Sequence, residues 1–395
     1  MKIGVDLTKL NPGKQGINHY CEGIIKGLIL NKNIMLTIYL RNENLKYFRK
    51  KFGNKKIQYI SLENKESVIK KILYLFILSL FIISKKILKL KSFDKIFIEL
   101  YKKNKNFFNR SYKDIIEKNS EVLICPILYM TNFDLNIKTI LCIHDIQYTY
   151  LPENFSLINN YSKDLKLKAS VNSCSNLIAG SSTLAEQFRK YFNIDKDKIR
   201  IISEGIDLDK FKVKKYSTRY IKNVKLPEKF IFYPAQFWPH KNHIMILEAI
   251  SEIKHKINLV FCGAKKNFYY KIVEYIRNKK IKNVHYLGVI SDEELIKAYN
   301  LCNLVIVPTK EESSCMLLKE SFAMKKNLLV SNTKVFLEYS KFFKFNIFDM
   351  HNKNDLKKKI INNYFKLKQE KKINFNFKMV KQFRWEKIAK KFIEL

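Results

Sequence analysis

Short runs of apolar, largely β-branched residues alternate along almost the whole chain with segments of helical periodicity. Strands that are apolar on both faces and separated by helices are typical of a parallel sheet covered by helices on both sides. Eleven such runs are predicted strands: residues 2–6, 34–40, 121–126, 139–143, 176–179, 199–202, 230–233, 257–262, 283–287, 304–307 and 328–331. The alternation predicts the α/β class, with doubly wound parallel sheets.

A helix is marked after the first run, because apolar residues recur there at intervals of three and four. They are Ile17, Tyr20, Cys21, Ile24, Ile25 and Leu28. A length of 395 residues favours two domains. The polar, lysine-rich stretch 207–228 is the predicted link between two Rossmann-like halves, at residues 1–210 and 211–380. Two such domains would face a central cleft at the carboxyl ends of their strands, where this class of fold binds ligands.

The chain carries 75 Lys and Arg against 36 Asp and Glu, a formal net charge of +39. An excess of this size attracts polyanions whatever the fold. Only 8 of the basic residues are Arg, however, and the 67 Lys are spread over the whole chain together with abundant Asn and Ile. Proteins that read nucleic acids use Arg for bidentate contacts. The composition therefore disfavours a nucleic-acid partner, and an anionic membrane surface or a phosphorylated substrate fits it better.

The seven cysteines are scattered and mostly lie inside apolar runs, with no Cys-x-x-Cys pair. This usage predicts buried, reduced thiols and argues against a disulfide framework or a zinc site. Two Asp-x-Asp pairs, at 195–197 and 207–209, lie in polar segments and are not interpreted as metal sites, and residues 12–16 lack the spacing of a P-loop. The first residues have the character of a strand rather than of a signal peptide, so a cytoplasmic protein is expected.

Residues 72–84 form a run of 13 residues without a charge, bracketed by pairs of lysines. Since a spanning helix needs about 20 apolar residues, this run is too short to cross a membrane comfortably. Around it, between residues 65 and 105, 11 Lys face three acidic residues, a local balance of +8. Two interpretations stay open: a buried core helix with solvated flanks, or a basic helix resting on an anionic membrane surface.

The stretch 307–323 places two carboxylates after a predicted strand. Glu312 lies in the polar loop, and Glu320 lies two turns into a helix predicted to start near Met316. Carboxylates at the carboxyl end of a strand can accept hydrogen bonds from paired hydroxyls such as those of a sugar or a ribose, and the helix N-terminus beside them favours a phosphate. By pattern alone, a Glu-x7-Glu spacing is also compatible with a solvated loop.

A second stretch, 232–242, follows the first strand of the second half and precedes a helix. At this turn Lys241 could act as a point charge on a diphosphate, with Gln236 as a neutral donor. The alternative is that Lys241 is an ordinary surface lysine and His240 a surface imidazole.

Together these two stretches resemble the glycosyltransferases of family 4, retaining enzymes of the GT-B fold that use nucleotide-sugar donors. That family carries a Glu-Gly-Phe-Gly-x-Pro-x-x-Glu-Ala element, whose two glutamates fall on Glu312 and Glu320. One of its branches has a Tyr-Pro-Ala-Gln-Phe-Trp-Pro-His-Lys-Asn turn, which residues 233–242 match in full. The resemblance implies that Glu320 holds the donor ribose and Glu312 faces the sugar hydroxyls. It also implies that Lys241, with Gln236, stabilises the leaving diphosphate.

The resemblance extends nearly from end to end. His144 and Asp145 are similar to the family's His-Asp loop, Gly16 lies in its Gly-Gly-x-x-x-Tyr loop, and residues 381–395 resemble the closing helix that crosses back to the first domain. The implied catalytic residues are Glu312, His144 and Lys241. The implied donor-binding residues are Gln236, Lys241, Gly263, Val289, Ser314, Cys315, Met316, Leu317 and Glu320, and the implied acceptor or diphosphate loop contains Gly16 and Asp145.

Three features depart from the family pattern. Ser313, Ser314 and Cys315 replace the Gly-Phe-Gly between the two glutamates, Gln15 replaces a glycine of the first loop, and Gln236 stands at an Arg position. Glycine lets backbone amides approach a phosphate closely, and Arg would add a fixed positive charge, so these differences bear on how the donor is held.

The resemblance implies a retaining hexosyltransferase of cell-surface polysaccharide or lipopolysaccharide biosynthesis. The enzyme would move a hexose from a nucleotide diphosphate sugar to a saccharide or lipid-linked saccharide. No metal or other cofactor is expected, and the expected location is the inner face of the membrane, as a peripheral cytoplasmic protein. Two alternatives stay open: a nucleotide-sugar epimerase on the same scaffold, and a non-catalytic basic protein that binds nucleic acid or a membrane surface.

Overall fold

The computed structural model describes residues 1–11, 16–53, 56–63, 68–89, 93–253, 256–365 and 370–395. Gln15 and parts of the basic segment 65–105 lie outside the described residues. The chain divides into two compact units. Unit 1 comprises Met1–Gly205 and Trp385–Leu395, and unit 2 comprises Ile206–Arg384. The sequence had placed the boundary after residue 210.

Unit 1 is built around a sheet of seven parallel strands in the order β3-β2-β1-β4-β5-β6-β7. Its elements, in chain order, are β1 (Lys2–Asp6), α1 (Ile17–Ile29), β2 (Met35–Leu40), α2 (Asn42–Phe52), β3 (Ile57–Ser61), α3 (Val68–Lys86), α4 (Asp94–Phe108), α5 (Arg110–Asn119), β4 (Val122–Cys125), β5 (Lys138–Cys142), α6 (Gln147–Tyr150), α7 (Leu157–Ser173), β6 (Asn176–Ala179), α8 (Ser182–Phe192) and β7 (Ile199–Ile201). The strand order reverses between β1 and β4, as in a doubly wound fold.

Unit 2 repeats this plan with six parallel strands in the order β12-β11-β10-β13-β14-β15. Its elements are β8 (Tyr220–Ile221), β9 (Val224–Lys225), β10 (Ile231–Pro234), α9 (His243–Ser251), β11 (Leu259–Cys262), α10 (Tyr269–Asn278), β12 (Val284–Tyr286), α11 (Asp292–Leu301), β13 (Leu304–Val307), α12 (Met316–Ala323), β14 (Asn327–Ser331), α13 (Lys334–Ser340), β15 (Asn346–Phe348), α14 (Lys353–Phe365) and α15 (Glu370–Val380). Strands β8 and β9 form a separate antiparallel pair.

The last helix, α16 (Trp385–Ile393), returns to unit 1 and packs on α1. Two glycines of α1 make this approach possible. A Cβ atom on Gly23 would lie 1.9 Å from the Trp385 indole, and one on Gly27 would lie 2.3 Å from the Trp385 carbonyl oxygen. The absence of side chains at Gly23 and Gly27 therefore lets Trp385 pack directly on α1, where it is 5% exposed.

Each of the eleven predicted strands coincides with a strand of the structure, and the predicted helix after β1 is α1. Four strands were missed. Both β8 and β9 have only two residues, too few for a pattern, and β15 is a short, partly exposed strand at the edge of its sheet. The fourth, β3, is at the edge of its sheet and mostly half-exposed, so its side chains form no continuous apolar run.

The uncharged run 72–84 lies within α3. Ile77, Leu78 and Phe81 are buried in the core of unit 1, whereas much of the rest of the helix faces outward. The interpretation of this run as a buried core helix with solvated flanks is therefore wrong for the outer side of α3, where Ile72, Phe76 and Ile83 are exposed. Among the described residues, no helix combines the length and hydropathy that a membrane crossing requires.

All seven cysteines are buried and free, as their apolar neighbours in the sequence predicted.

Candidate functional site

The polar stretches that follow β10 and β13 come together at one edge of unit 2. These two strands are direct neighbours in the sheet, and the order of strands reverses between them. In doubly wound folds, ligands bind outside the carboxyl ends of the strands at this reversal point. The structure thus places both sequence motifs, 232–242 and 307–323, at the position where a ligand site is expected.

Backbone and side-chain hydrogen bonds join the two loops. The His240 carbonyl accepts from the Lys310 amide at 2.8 Å and from the Thr309 hydroxyl at 3.1 Å. The Asn242 side-chain amide donates to the Pro308 carbonyl at 3.1 Å. Since each loop satisfies polar groups of the other, their relative position is fixed without a ligand.

Lys241 and Glu312 form an ion pair across this junction. The Lys241 ammonium lies 2.5 Å from a Glu312 carboxylate oxygen, and the two side chains are 20% and 10% exposed. The Tyr233 hydroxyl donates to the Lys241 carbonyl at 3.0 Å, which holds the turn that carries the lysine. The second alternative for Lys241, an ordinary surface cation, does not describe this largely buried and paired group.

Glu320 lies deeper, on α12, and is 6% exposed. One of its carboxylate oxygens accepts a hydrogen bond of 2.7 Å from the Tyr299 hydroxyl. Burial raises the pKa of this carboxyl above its usual value, and the hydrogen bond from Tyr299 opposes that effect. Sequence reasoning missed Tyr299, because a tyrosine within α11 carries no local signature of a contact with a residue on another helix.

Gly263, after β11, lies close to the backbone of Ala235 and Gln236, after β10. The Gln236 side-chain oxygen accepts from the Trp238 indole N–H at 3.0 Å, which leaves its amide N–H groups as donors. Gly263 has φ +141°, and a Cβ atom there would lie 2.5 Å from the Ala235 carbonyl oxygen. Only glycine therefore allows the end of β11 to approach the turn after β10 so closely.

Val289 belongs to the loop after β12, which is hydrogen-bonded to Gly263 at the end of β11. The Gly263 amide donates to the Gly288 carbonyl at 2.9 Å, and the Lys222 ammonium donates to the Val289 carbonyl at 2.7 Å. The Val289 side chain is 51% exposed. The loop of Val289, an implied donor-binding residue, is thus connected to Gly263 through the backbone, and the apolar Val289 side chain is half exposed.

The first turn of α12 brings the remaining predicted donor residues to this edge. Cys315 is the N-terminal cap residue, and its side chain makes no capping hydrogen bond. Ser314, Met316 and Leu317 are partly exposed beside it. Free amides at a helix N-terminus favour an anion. Burial raises the pKa of the Cys315 thiol well above its usual value, so this group stays neutral.

Two imidazoles, those of His240 and His243, are buried at the turn that carries Lys241. His243 is fully buried and stacks on the Phe237 ring at 4.5 Å, while His240 is 7% exposed. Burial, with a smaller effect of the nearby Lys241 charge, lowers the pKa of each imidazole to about 3. Both are therefore neutral at physiological pH, and the alternative interpretation of His240 as a surface imidazole is wrong.

The other predicted residues lie in unit 1, where His144 follows β5. Its Nε2 atom lies 2.9 Å from the Pro126 carbonyl oxygen, and since a carbonyl only accepts, Nε2 carries the hydrogen. The Tyr20 ring packs edge-on against the imidazole at 4.5 Å. A small pocket here is lined by Tyr20, Cys142, Ile143, His144, Ile178, Gly180, Ile202 and Glu204. Sequence reasoning did not single out Glu204 as a candidate site residue.

Asp145 and Gly16 also belong to unit 1. The Asp145 carboxylate accepts from the Gln147 amide at 3.1 Å, which shapes the start of α6. Gly16 caps α1 with φ +85°, a conformation that other residues rarely adopt. No atom of the described residues lies within 4 Å of the position of a Cβ atom on Gly16, so among them the requirement for glycine is conformational rather than steric.

Clusters of three or more His, Cys, Asp or Glu side chains that could hold a metal ion are absent from the described part of the chain.

Two family profiles match adjacent parts of the chain. The family described as Glycosyltransferase Family 4 matches residues 99–210. The family described as Glycosyl transferases group 1 matches residues 217–392. The second match contains both polar stretches of unit 2.

Curated relatives are similar over shorter stretches. The O-antigen chain mannosyltransferase RfbU of Salmonella typhimurium is 24% identical over 197 residues, which are 50% of this chain and 52% of that protein. The serotype-specific mannosyltransferase WbdA of Escherichia coli is 26% identical over 147 residues, 34% of this chain and 18% of that protein. The chain thus spans about half or less of the length of these relatives.

Solved structures match over the whole chain. The structure of Anabaena Alr3699/HepE in complex with UDP and glucose has a TM-score of 0.70 at 13% identity, covering 100% of this chain and 98% of that one. WaaG, a glycosyltransferase involved in lipopolysaccharide biosynthesis, has a TM-score of 0.67 at 12% identity, covering 99% and 98%. At these identities the likeness shows the fold alone.

The two parallel sheets, the full-length structural matches and the two family profiles agree. The chain has two Rossmann-like domains of the GT-B type, and its matches to two glycosyltransferase family models, over residues 99–210 and 217–392, are those of a GT-B glycosyltransferase of the family 4 type.

Proposed function

We propose that this protein transfers a hexose from a nucleotide diphosphate sugar to a saccharide or lipid-linked saccharide during the synthesis of a cell-surface polysaccharide. The observation that carries the proposal is the Lys241–Glu312 pair in the loops after the neighbouring strands β10 and β13. The second of these loops leads into α12, which carries Glu320. The relatives' names, O-antigen chain mannosyltransferase and serotype-specific mannosyltransferase, support both the reaction type and the setting.

Unit 2 would hold the donor. Lys241 would place its positive charge on the diphosphate, where charge develops as the bond to the sugar breaks, and preorganised charge of this kind is a large contribution to catalysis. The Gln236 amide and backbone amides at the start of α12 would add neutral donors. Glu320 would accept hydrogen bonds from the ribose hydroxyls through the carboxylate that Tyr299 orients.

Glu312 would link the charge on Lys241 to the sugar. In the ligand-free pair its carboxylate neutralises the ammonium. A carboxylate accepts more than one hydrogen bond, so Glu312 could keep this contact and accept from sugar hydroxyls. His144 in unit 1, whose Nε2 hydrogen is fixed by the Pro126 carbonyl, would keep Nδ1 as a hydrogen-bond acceptor.

No metal ion is needed in this proposal, because Lys241 and backbone amides supply the positive potential for the diphosphate. Retention of the sugar's configuration is proposed on the family resemblance. The protein would work at the inner face of the membrane, where lipid-linked acceptors are available.

A product assay tests the proposed function. The protein is incubated with UDP-glucose, UDP-galactose or GDP-mannose, a membrane lipid extract and a chelator, and mass spectrometry follows sugar transfer and nucleotide release. The proposal expects transfer with at least one donor, and expects Glu312→Gln and Lys241→Ala to abolish it. Conversion of the donor sugar without any acceptor would instead favour the epimerase alternative.

A further inference from the structure

The outer side of α3 is an apolar stripe that none of the described residues covers. At helical spacing, its exposed residues are Ile69, Ile72, Phe76, Leu80 and Ile83, with Ile87 one residue past the end of the helix. They are between 36% and 70% exposed. The opposite side of α3 supplies Ile77 and Phe81 to the core. The helix is thus apolar on both sides, and only one side has a packing partner within the described residues.

A second apolar stripe runs along α4. Ile96, Leu100 and Phe107 are exposed on this helix, with Phe93 immediately before it. Helices α3 and α4 pack against each other and both pack against α7. The two exposed stripes therefore belong to neighbouring helices of unit 1 that pack on each other. We refer to these two stripes as the α3–α4 face. Exposed apolar surface of this extent is typical of an interaction site.

Lysines border the α3–α4 face. Lys71, Lys86, Lys89, Lys95 and Lys103 are all exposed and form no ion pair within the part of the chain that the structure describes. The acidic side chains nearby are already compensated, since Asp94 pairs with Lys85 and Lys168, and Glu99 pairs with Lys102. The rim of the apolar face consequently carries uncompensated positive charge.

The positive charge of the lysines indicates which partner, a second copy of the protein or a membrane, fits the α3–α4 face. In a two-fold dimer the same patch meets itself, so the lysine rim of one copy would face the lysine rim of the other. A membrane leaflet with anionic lipids offers the complementary arrangement: negative headgroups for the lysines and an apolar layer for the side chains. Because neither helix is able to span a membrane, the fitting geometry is a helix pair lying in the interface.

We propose that the α3–α4 face docks on an anionic membrane surface, with the apolar stripes entering the headgroup region and the lysines contacting lipid phosphates. The proposal deepens the location given in the proposed function and rests on it for its biological purpose. The surface itself is defined by the exposed apolar side chains and the lysine rim.

Site-selective labelling tests the proposal. All native cysteines are buried, so a thiol-reactive, environment-sensitive dye will report on a single introduced cysteine. Phe76→Cys places the dye on the outer stripe of α3. Tyr270→Cys, on α10 of unit 2 and 75% exposed, is the matched control. Each labelled protein is mixed with vesicles of phosphatidylcholine alone, or of equal parts phosphatidylcholine and phosphatidylglycerol.

We expect the dye at position 76 to shift to shorter wavelength and brighten several-fold with the anionic vesicles only, and the dye at position 270 to stay unchanged. Replacing Lys71, Lys86 and Lys95 by Gln is expected to lower vesicle affinity about fivefold for each lysine. The same replacement at Lys215, Lys256 and Lys282, which are exposed in unit 2, is expected to have no effect.

Equal signals at both positions, or none at position 76, would overturn the proposal. A signal at position 76 that grows with protein concentration in the absence of vesicles would overturn it in favour of a dimer. Nucleotide titration of the same labelled protein keeps the two proposals apart, because donor binding in unit 2 does not depend on vesicle binding by unit 1.

Discussion

The strand ends of the two units hold their candidate residues in different ways. In unit 2, the ends of β10 and β13 carry charged side chains that pair with each other, Lys241 with Glu312, and a buried carboxyl on Glu320. In unit 1, His144 after β5 is held by a backbone carbonyl and by the Tyr20 ring, which in turn packs against Trp385 at 5.6 Å. One site is organised by charge, and the other by aromatic packing.

This difference indicates what a substitution will change in each unit. A charged pair that is part of a ligand site contributes to ligand affinity, and its loss need not unfold the protein. A packed aromatic cluster is part of the core, so its loss acts first on the free energy of unfolding. The two tryptophans of the chain, Trp238 in unit 2 and Trp385 in unit 1, allow the two effects to be measured separately by fluorescence.

The largest expected effect is that of Trp385→Ala. This substitution empties the space between α1 and α16 and should lower the free energy of unfolding by about 3–5 kcal/mol. Chemical denaturation measures the loss, and hydrogen exchange should show it in α1 but not in β10. Nucleotide affinity, followed by Trp238 fluorescence, is expected to stay within about twofold of the wild type. A tenfold loss of affinity would break the separation of the two units.

The next largest effect is expected from alanine substitution of one glycine in each unit, which compares the loss of unfolding free energy in the two units. Gly263→Ala in unit 2 meets both a strained backbone and the Ala235 carbonyl, so we expect a loss of about 3 kcal/mol in the free energy of unfolding. The new Cβ of Gly16→Ala in unit 1 meets no atom of the described residues, so this substitution should cost only about 1–2 kcal/mol, from its positive φ. Equal losses would show that steric contact after β11 contributes nothing.

The smallest of these effects concerns pH. His243 has a pKa of about 3 in the folded protein, lowered mainly by burial, whereas an unfolded imidazole titrates near its ordinary value. Below that ordinary value only the unfolded state takes up a proton, so stability falls as pH falls. Between pH 7 and pH 5 one such imidazole costs about 2 kcal/mol of folding free energy.

The His243→Phe variant isolates this contribution. The free energy of unfolding of the variant should fall by about 2 kcal/mol less than that of the wild type between pH 7 and pH 5. His351→Phe, at an exposed position, is the matched control and should follow the wild type. Parallel pH profiles for wild type and His243→Phe would mean that His243 is not held neutral by burial.

The sequence predicted the strands well because each central strand of a parallel sheet is apolar on both faces. It also placed Lys241 and Glu312 after two separate strands. That β10 and β13 are neighbours, and that the two side chains therefore meet, depends on the order of strands in the sheet. No local pattern encodes this order, and it was implied only by the resemblance to the family.

Two features of the structure had no usable signal in the sequence. The Tyr299–Glu320 hydrogen bond joins two helices, and its geometry follows from how both pack on the sheet. The run 72–84 is apolar on all sides of a helical wheel, so periodicity could not show which side packs on the core. Only the contacts of α3 with α4 and α7 show that Ile77 points inward and Phe76 outward.

The central claim is that unit 2 binds a nucleotide diphosphate through Lys241 and Glu320, and calorimetric titration with UDP and GDP tests it most directly. The wild type is expected to bind one of the two, and Lys241→Ala and Glu320→Ala should each weaken that binding at least about tenfold, as the loss of a hydrogen bond to a charged group does. Lys310→Ala, an exposed lysine in the same loop region, should bind as the wild type does. Unchanged affinity in both site variants would contradict the account.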